Sequence, residues 1–386
     1  MRRSLCMFTE ELSRLTKAGL RRSLRLVEGP QGPRATIDGK EAILLCSNDY
    51  LGLANHPLVK QAAIEAIDAW GVGAGASRLI SGNMTAHARL EESIRRFKGT
   101  EAALIFNSGY HANVGCITAI CSRDSEVFSD RLNHASIVDA CLLSRAAFRR
   151  YPHRDVDSLE RLLKKSRAKR KLVATDGIFS MDGDIAPIRE IAGLLDRYDA
   201  MLLIDDAHST GVLGDRGRGT LEHLGVSHPS IIQMGTLGKA VGAFGAFIAG
   251  SVELIDILKS KSRPFIYTTA LPPSICAASI KALEIIEQEP GLRMRLWENT
   301  AFFREGLLKA SLDTLGSQTQ IIPIAVGQAQ RAMELSSRLL EKGVFIQGIR
   351  PPTVPEGTSR LRVSVTAAHS REDLTSALSA IREVFQ

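Results

Sequence analysis

The first position in this chain that could do chemistry is a lysine set among small residues. Lys239 lies in Gly235-Thr236-Leu237-Gly238-Lys239-Ala240, with Gly242 and Ala243 just beyond, directly after the apolar run Ile231–Met234. A lysine in a solvated turn stays charged and inert. One packed among glycines and alanines loses hydration, which lowers its pKa toward the neutral amine that imine formation and proton abstraction require. Asp205 ends another apolar run, Met201–Ile204, where a carboxylate wants a cationic partner, whereas the adjacent Asp206 reads as a turn or capping residue. Two histidines stand in comparable places, His134 after Asp130-Arg131-Leu132-Asn133 and His208 after Asp205-Asp206-Ala207. Taken singly, each reads as a satisfied core histidine; at strand ends beside an acid and a lysine they read as a site. Ser108-Gly109-Tyr110, opening a helix after the run Ala102–Phe106, adds an N-terminus of the size a phosphate needs.

An imine-forming lysine, an acid for a ring nitrogen, an aromatic group over the ring and a helix N-terminus are the needs of pyridoxal 5'-phosphate. All four fall on adjacent loops here, with His134 expected to stack on the ring and His208 to bond its phenolic oxygen. Rival sites are weaker. Gly238-Lys239 is no P-loop, because Gln233 stands where that motif needs glycine and Ala240 where it needs Ser or Thr. Gly71-Val72-Gly73-Ala74-Gly75 lacks the dinucleotide spacing, and no Cys/His cluster or H-E-x-x-H suggests a metal. Ala207-His208-Ser209-Thr210-Gly211 loosely resembles a serine-hydrolase elbow, but Gly211, Gly214, Gly217 and Gly219 leave no helix to present Ser209.

The elements that must position these residues alternate between two periods. Short apolar runs (Ala102–Phe106, Glu126–Ser129, Lys171–Thr175, Met201–Ile204, Ile231–Met234, Ala246–Ala249) are separated by helical patterns such as Leu58–Trp70, Thr85–Phe97, Ile137–Ser144 and Ile188–Tyr198. This rhythm predicts an α/β fold with a mostly parallel sheet, whose ligands collect beyond the carboxyl ends of the strands. After Leu271-Pro272-Pro273 the pattern changes to long helices, a few strands and a last helix begun by Ser370. The expected division is an N-terminal segment 1–47, a large domain 48–272 and a small C-terminal α+β domain 273–386.

Composition fits that picture. The 386 residues are 44% hydrophobic and 24% charged, so the chain can bury a full core without disulfide or metal staples. Six scattered cysteines without C-x-x-C suggest free thiols, and Glu10 and Glu11 interrupt any signal-peptide core, which together predict a cytoplasmic protein. No apolar run is long enough to span a membrane. The net charge of +7 concentrates between Arg145 and Lys171, where Asp155–Arg167 reads as an amphipathic helix with a solvated cationic face, so a nucleic-acid partner is not expected.

At these residues the chain closely resembles the α-oxoamine synthases, fold-type I pyridoxal-phosphate transferases that join an amino acid to an acyl thioester with loss of carbon dioxide. The likeness runs from Asn48-Asp49-Tyr50-Leu51-Gly52-Leu53 through Asn107-Ser108-Gly109-Tyr110, Asp184 and Asp205-Asp206-Ala207-His208 to Thr236-Leu237-Gly238-Lys239. Asp130–Ser136 and Ile349–Thr358 look most like the biotin-pathway branch, which implies L-alanine and a pimeloyl thioester, on coenzyme A or a carrier protein, as substrates. Glycine C-acetyltransferase, 5-aminolevulinate synthase and serine palmitoyltransferase types are the alternatives; a silent partner subunit would lack Lys239. The resemblance implies that Lys239, His134, Asp205 and His208 are catalytic. It gives Ser108, Gly109, Tyr110, Ser180, Thr236, Thr268 and Thr269 to the cofactor, the last two from the neighbouring subunit of a homodimer. It gives Arg21, Arg350 and Thr353 to substrate, with Arg350 holding the amino-acid carboxylate.

Overall fold

The structure, a computed structural model, describes residues 2–17 and 19–386. Seven strands form the central sheet: β1 (Ala102–Phe106), β2 (Ser125–Asp130), β3 (Ala147–Tyr151), β4 (Arg170–Asp176), β5 (Ala200–Asp205), β6 (Ile231–Thr236) and β7 (Ala246–Gly250). Their order is β1-β7-β6-β5-β4-β2-β3. Strands β3, β2, β4, β5 and β6 pair in parallel, while β7 runs antiparallel between β1 and β6. Parallel neighbours need crossovers, and the helices between the strands supply them on both faces. That is why β5 and β6 are almost wholly apolar rather than alternating. Phe247 and Ala249 pack into the layer built by the helices Thr85–Lys98 and Pro273–Gln288, and Ile248 between them packs into the layer under Gly109–Ile120 and Val252–Lys261. Strand β3 escaped the sequence pattern, because Arg149 and Arg150 sit on an edge strand open to water.

Packing divides the chain differently from the expected boundary at 272/273. Helix Pro273–Gln288 buries Cys276, Ala282, Leu283 and Ile286 in the core of the large domain. The following helix, Pro290–Lys309, gives Leu296 to that core and Phe303 and Leu307 to the next one, so it joins the two. The small domain is a three-stranded antiparallel sheet, Ile321–Gly327, Ser359–Ser364 and Gln347–Ile349, covered by Ala329–Glu341 and Arg371–Phe385. Ser370 and Asp373 form the capping box that starts its last helix. Within the expected N-terminal segment, Arg34–Ile37 and Lys40–Leu44 share a sheet with Val344–Phe345 of the small domain.

One ion pair ties the sheet edge together. Lys98 and Asp206 are fully buried and 3.0 Å apart, and the lysine also donates to the Arg218 carbonyl. Asp206 Oδ1 accepts from Ser209 Oγ at 2.5 Å and Thr220 Oγ1 at 2.6 Å. The pair therefore pins a helix end and the glycine-rich turn 211–219 to the loop that follows β5. Ser209, the residue that a hydrolase reading would need as nucleophile, spends its hydroxyl proton on this carboxylate. Asp206→Ala would leave an uncompensated buried ammonium, so a loss of about 3–5 kcal/mol in unfolding free energy by chemical denaturation is expected. A loss below about 1 kcal/mol would show that the pair is not buried in solution.

Candidate active site

Because β1, β2, β4, β5 and β6 all run one way, their carboxyl ends deliver five loops to one edge of the sheet. There they enclose a cavity of about 200 Å³ lined by Gly109, Tyr110, His134, Ser180, Asp205, His208, Thr236 and Lys239, together with Ser136, Asp176, Ala207 and Met234. Eight of the residues expected from sequence thus share one pocket.

Lys239 stands on a tight turn after β6, closed by bonds from Gly242 N to Lys239 O and from Ala243 N to Leu237 O, each 2.8 Å. Gly242 has a φ of +70°, and a Cβ there would lie 2.4 Å from Ala54 N, so only glycine lets this turn press against the loop 48–54. The lysine amine is 2.7 Å from His208 Nε2. Burial pushes its pKa down from 10.5 to about 8, with Asp205 and Asp176 opposing and Arg362 assisting. His208, buried beside Lys239 and Arg362, is held well below the ordinary imidazole value, first by burial and then by those cations.

Asp205 accepts from Asn113 Nδ2 at 2.7 Å and from Ala207 N at 3.0 Å. No ion pair satisfies it among the described residues, so a cation in the pocket is the partner its carboxylate fits. Asp176 faces Asp205 in register on β4, and burial, then the Asp205 charge, push it well above the usual carboxylate range. Sequence reasoning missed Asp176, although it too ends an apolar strand. It accepts from His134 N at 2.9 Å, while Asn133 Oδ1 accepts from Asp176 N at 3.0 Å; this reciprocal clamp seats His134. His134 Nδ1 lies 2.8 Å from Ser136 Oγ. The loop carrying Ser180 is anchored from behind by His153, whose ring nitrogens lie 3.1 Å from Asp130 and 2.8 Å from Asp184. Those carboxylates outweigh its burial and raise it to about 9.

At one end of the cavity is the N-terminus of the helix Gly109–Ile120, a place suited to an anion. Ser108 caps it, its Oγ accepting from His111 N at 3.2 Å, so the Ser108 hydroxyl and the first helical N–H groups stay available to an anion. A Cβ at Gly109 would meet only the flexible end of Met234, Cε at 3.0 Å. Tyr110 is half-exposed and donates to Asp139 at 2.8 Å. Thr236 donates its hydroxyl proton to Gly245 O at 3.0 Å, leaving it only acceptor capacity in this arrangement. Thr268 and Thr269 stand outside this pocket, tethered by Asn107 Nδ2 to Thr268 Oγ1 and Thr269 O, each at 3.0 Å. A capped helix end, an unpaired strand-end carboxylate and an amine with a lowered pKa in one cavity are the donor set that pyridoxal phosphate needs, so the residues fit it.

Arg21, Arg350 and Thr353 also lie outside the pocket lining and gather elsewhere. Arg350 donates to the Arg21 carbonyl at 2.9 Å, Arg22 donates to Thr353 Oγ1 at 3.3 Å, and the buried Arg350 Nε has no partner. Arg362 was missed because its alternating strand hides it. It is 6% exposed and meets only neutral acceptors, Ser180 O at 2.6 Å, Ser364 Oγ at 2.9 Å and Asn48 Oδ1 at 3.3 Å. Among the described residues no group of three or more His, Cys, Asp or Glu is placed to hold a metal ion.

The family model "aminotransferase class I and II" matches residues 40–381. The chain is 56% identical to 8-amino-7-oxononanoate synthase of Geobacter metallireducens over 98% of this chain and 97% of that one, and 55% identical to the Geobacter sulfurreducens synthase over 97% and 96%. Among solved structures it superposes on Sphingomonas wittichii serine palmitoyltransferase with a TM-score of 0.92 at 32% identity, covering 98% of this chain and 96% of that one. The 8-amino-7-oxononanoate synthase of Francisella tularensis gives a TM-score of 0.77 at 29% identity, covering 89% and 97%. With the strand-end lysine, acid and histidines in one pocket, these matches establish that the chain belongs to the aminotransferase class I and II family, as a pyridoxal-phosphate transferase of the α-oxoamine synthase type.

Proposed function

We propose that the chain joins L-alanine to a pimeloyl thioester with loss of carbon dioxide, forming 8-amino-7-oxononanoate for biotin synthesis. The observation that carries this reading is the half-buried Lys239 amine, poised near pH 8 beside Asp205 in a chain so similar, end to end, to synthases of that name. Ser108 and the N–H groups of Gly109 and Tyr110 would hold the cofactor phosphate, Asp205 the ring nitrogen, His134 the ring face, and Ser180 and His208 its phenolic oxygen; Thr236 would donate to the phosphate by turning its hydroxyl proton away from the Gly245 carbonyl. When bound, pyridoxal 5'-phosphate supplies an electron sink for the negative charge that develops at the amino acid's α-carbon.

The chain's own residues do the rest. Arg362 suits the amino-acid carboxylate better than Arg350 does, because a buried guanidinium with only neutral partners favours a bidentate anion and stands close enough to depress both Lys239 and His208. Lys239 Nζ, neutral in part near pH 8, takes the α-proton and returns one to the product. Arg350, Arg21 and Thr353 form the candidate contact for the acyl donor, whose far carboxylate or carrier phosphates are anionic. The exposed apolar side chains Val72, Leu79, Ile80, Tyr110, Phe244 and Tyr267 support a homodimer. Since Tyr110 also lines the pocket, that contact would place the site at the interface, with Thr268 or Thr269 reaching the partner's phosphate. No helix among the described residues is long and apolar enough to cross a membrane, and a cytoplasmic enzyme fits the unpaired cysteines.

Two measurements test this reading. Uptake of pyridoxal phosphate by cofactor-free protein needs the neutral amine, so its rate is expected to rise through a midpoint near pH 8; a midpoint near 10 would mean that Lys239 is solvated. Carbon dioxide release across a matrix of amino acids and thioesters should be fastest for L-alanine with a pimeloyl donor. One methyl group discriminates alanine from glycine by only about 1–3 kcal/mol, so the acyl donor should show the sharper preference. Faster release with glycine and a succinyl or acetyl donor, or with serine and a palmitoyl donor, would overturn the substrate assignment.

A further inference from the structure

Tyr50 has no part in the mechanism above, yet its hydroxyl lies at the end of the hydrogen bonds that begin at Lys239. The ring is fully buried in the large-domain core, and Oη is 2.6 Å from His208 Nδ1 and 3.0 Å from Asn48 Oδ1. We propose that Tyr50 is a positioning residue that fixes His208 in the Nδ1–H tautomer, so that a bare Nε2 faces the amine of Lys239.

The direction of each bond follows from counting protons. Asn48 Oδ1 faces both terminal nitrogens of Arg362 at 3.3 Å, and a guanidinium can only donate, so this atom is the amide oxygen and can only accept. Two oxygens 3.0 Å apart would repel with no proton between them, so the single phenol proton is assigned to Asn48, and the proton between Tyr50 and His208 to the imidazole. Every charged group that the structure sets against His208, namely Lys239, Arg362 and His134, is cationic or potentially so, which keeps the ring neutral with one N–H. That N–H is on Nδ1. Nε2, 2.7 Å from Lys239 Nζ, accepts from the lysine. The bonds thus run one way, from Lys239 through His208 and Tyr50 to Asn48, with Arg362 donating from the far end. Gln320 Nε2, reaching over from the small domain, donates to the His208 main-chain carbonyl at 3.0 Å and holds the backbone that carries the ring.

The consequence falls on Lys239. An acceptor at Nε2 favours the ammonium, whereas an N–H at Nε2 would favour the neutral amine, so the tautomer sets the pH at which the amine becomes free. The other groups facing Lys239 are Asp205 and Asp176, which favour the ammonium, and Arg362, which opposes it. Of these, only Arg362 also acts on the Tyr50 hydroxyl, where it opposes the burial that raises the phenol's pKa. The proposal rests on Lys239 being the reactive amine, but its test does not depend on substrate.

Nitrogen-15 NMR of the imidazole side chains in cofactor-free protein, with His208 assigned by a His208→Gln control spectrum, should show a protonated Nδ1 and an unprotonated Nε2. In Tyr50→Phe the core-filling ring remains but Nδ1–H loses its acceptor, so the proton should move to Nε2. The midpoint for pyridoxal-phosphate uptake should then fall by about one pH unit, the equivalent of one hydrogen bond. A change in packing alone would lower thermal stability without moving tautomer or midpoint. Nε2–H in the wild-type spectrum, which needs no variant, would overturn the proposal, as would an unchanged midpoint and tautomer in folded Tyr50→Phe. Failure of the wild-type protein to take up the cofactor through Lys239 at all would instead contradict the proposed function and leave the tautomer result standing.

Discussion

Withdrawing the Lys239 amine from water is the constraint on which the remainder of the site depends. Lowering its pKa from 10.5 to about 8 corresponds to roughly 3 kcal/mol of preference for the neutral form. Burial supplies the push and the strand-end carboxylates resist it, so the balance is set by how closely the turn 237–243 is pressed against its neighbours. Gly242 against Ala54 makes that closeness possible. The Lys98–Asp206 pair holds the neighbouring loop, and with it Asp205 and His208, at the same edge. A surface lysine with the same flanking sequence would have none of this support.

The parallel sheet explains why so many functional residues are gathered without being close in sequence. Five strands end at one edge, and each delivers different chemistry there: a helix N-terminus after β1, His134 after β2, Asp176 at the end of β4 with Ser180 beyond it, Asp205 at the end of β5 with His208 beyond it, and Lys239 after β6. Antiparallel β7 lies between β1 and β6 and separates the strand that leads to this helix N-terminus from the lysine strand. The small domain contributes differently. Arg362 reaches Ser180 and Asn48, and Gln320 reaches the His208 carbonyl, so the two domains meet through polar bonds at the site itself.

Most of this was legible in the sequence because the pattern is local. Apolar runs that end in Asp205 or lead to Lys239 announce both the strand and the chemistry at its end, and the rhythm of strands and helices dictates that such ends coincide. What was hidden depends on non-local packing. Arg362 sits in the alternating strand Ser359–Ser364, where an arginine ordinarily points to solvent; only the docking of the small domain buries it. Asp176 resembles a turn aspartate until its register opposite Asp205 is known. Helix Pro273–Gln288 follows a proline pair that suggested a boundary, but its apolar face belongs to the large domain. The resemblance to a known family named the chemistry, while the substrate contacts at Arg21, Arg350 and Thr353 fall outside the pocket that the lysine defines.

The central claim is that one amine in this chain, and no other, carries the cofactor. The protein holds many other lysines, most of them solvated and free of neighbouring strand-end carboxylates. Loading the protein with pyridoxal 5'-phosphate, reducing it with borohydride and mapping the peptides by mass spectrometry locates the attachment directly. The account predicts a single pyridoxyl group on Lys239, absent from Lys239→Ala. Modification spread over surface lysines, or an equal yield of reduced adduct in Lys239→Ala, would contradict it.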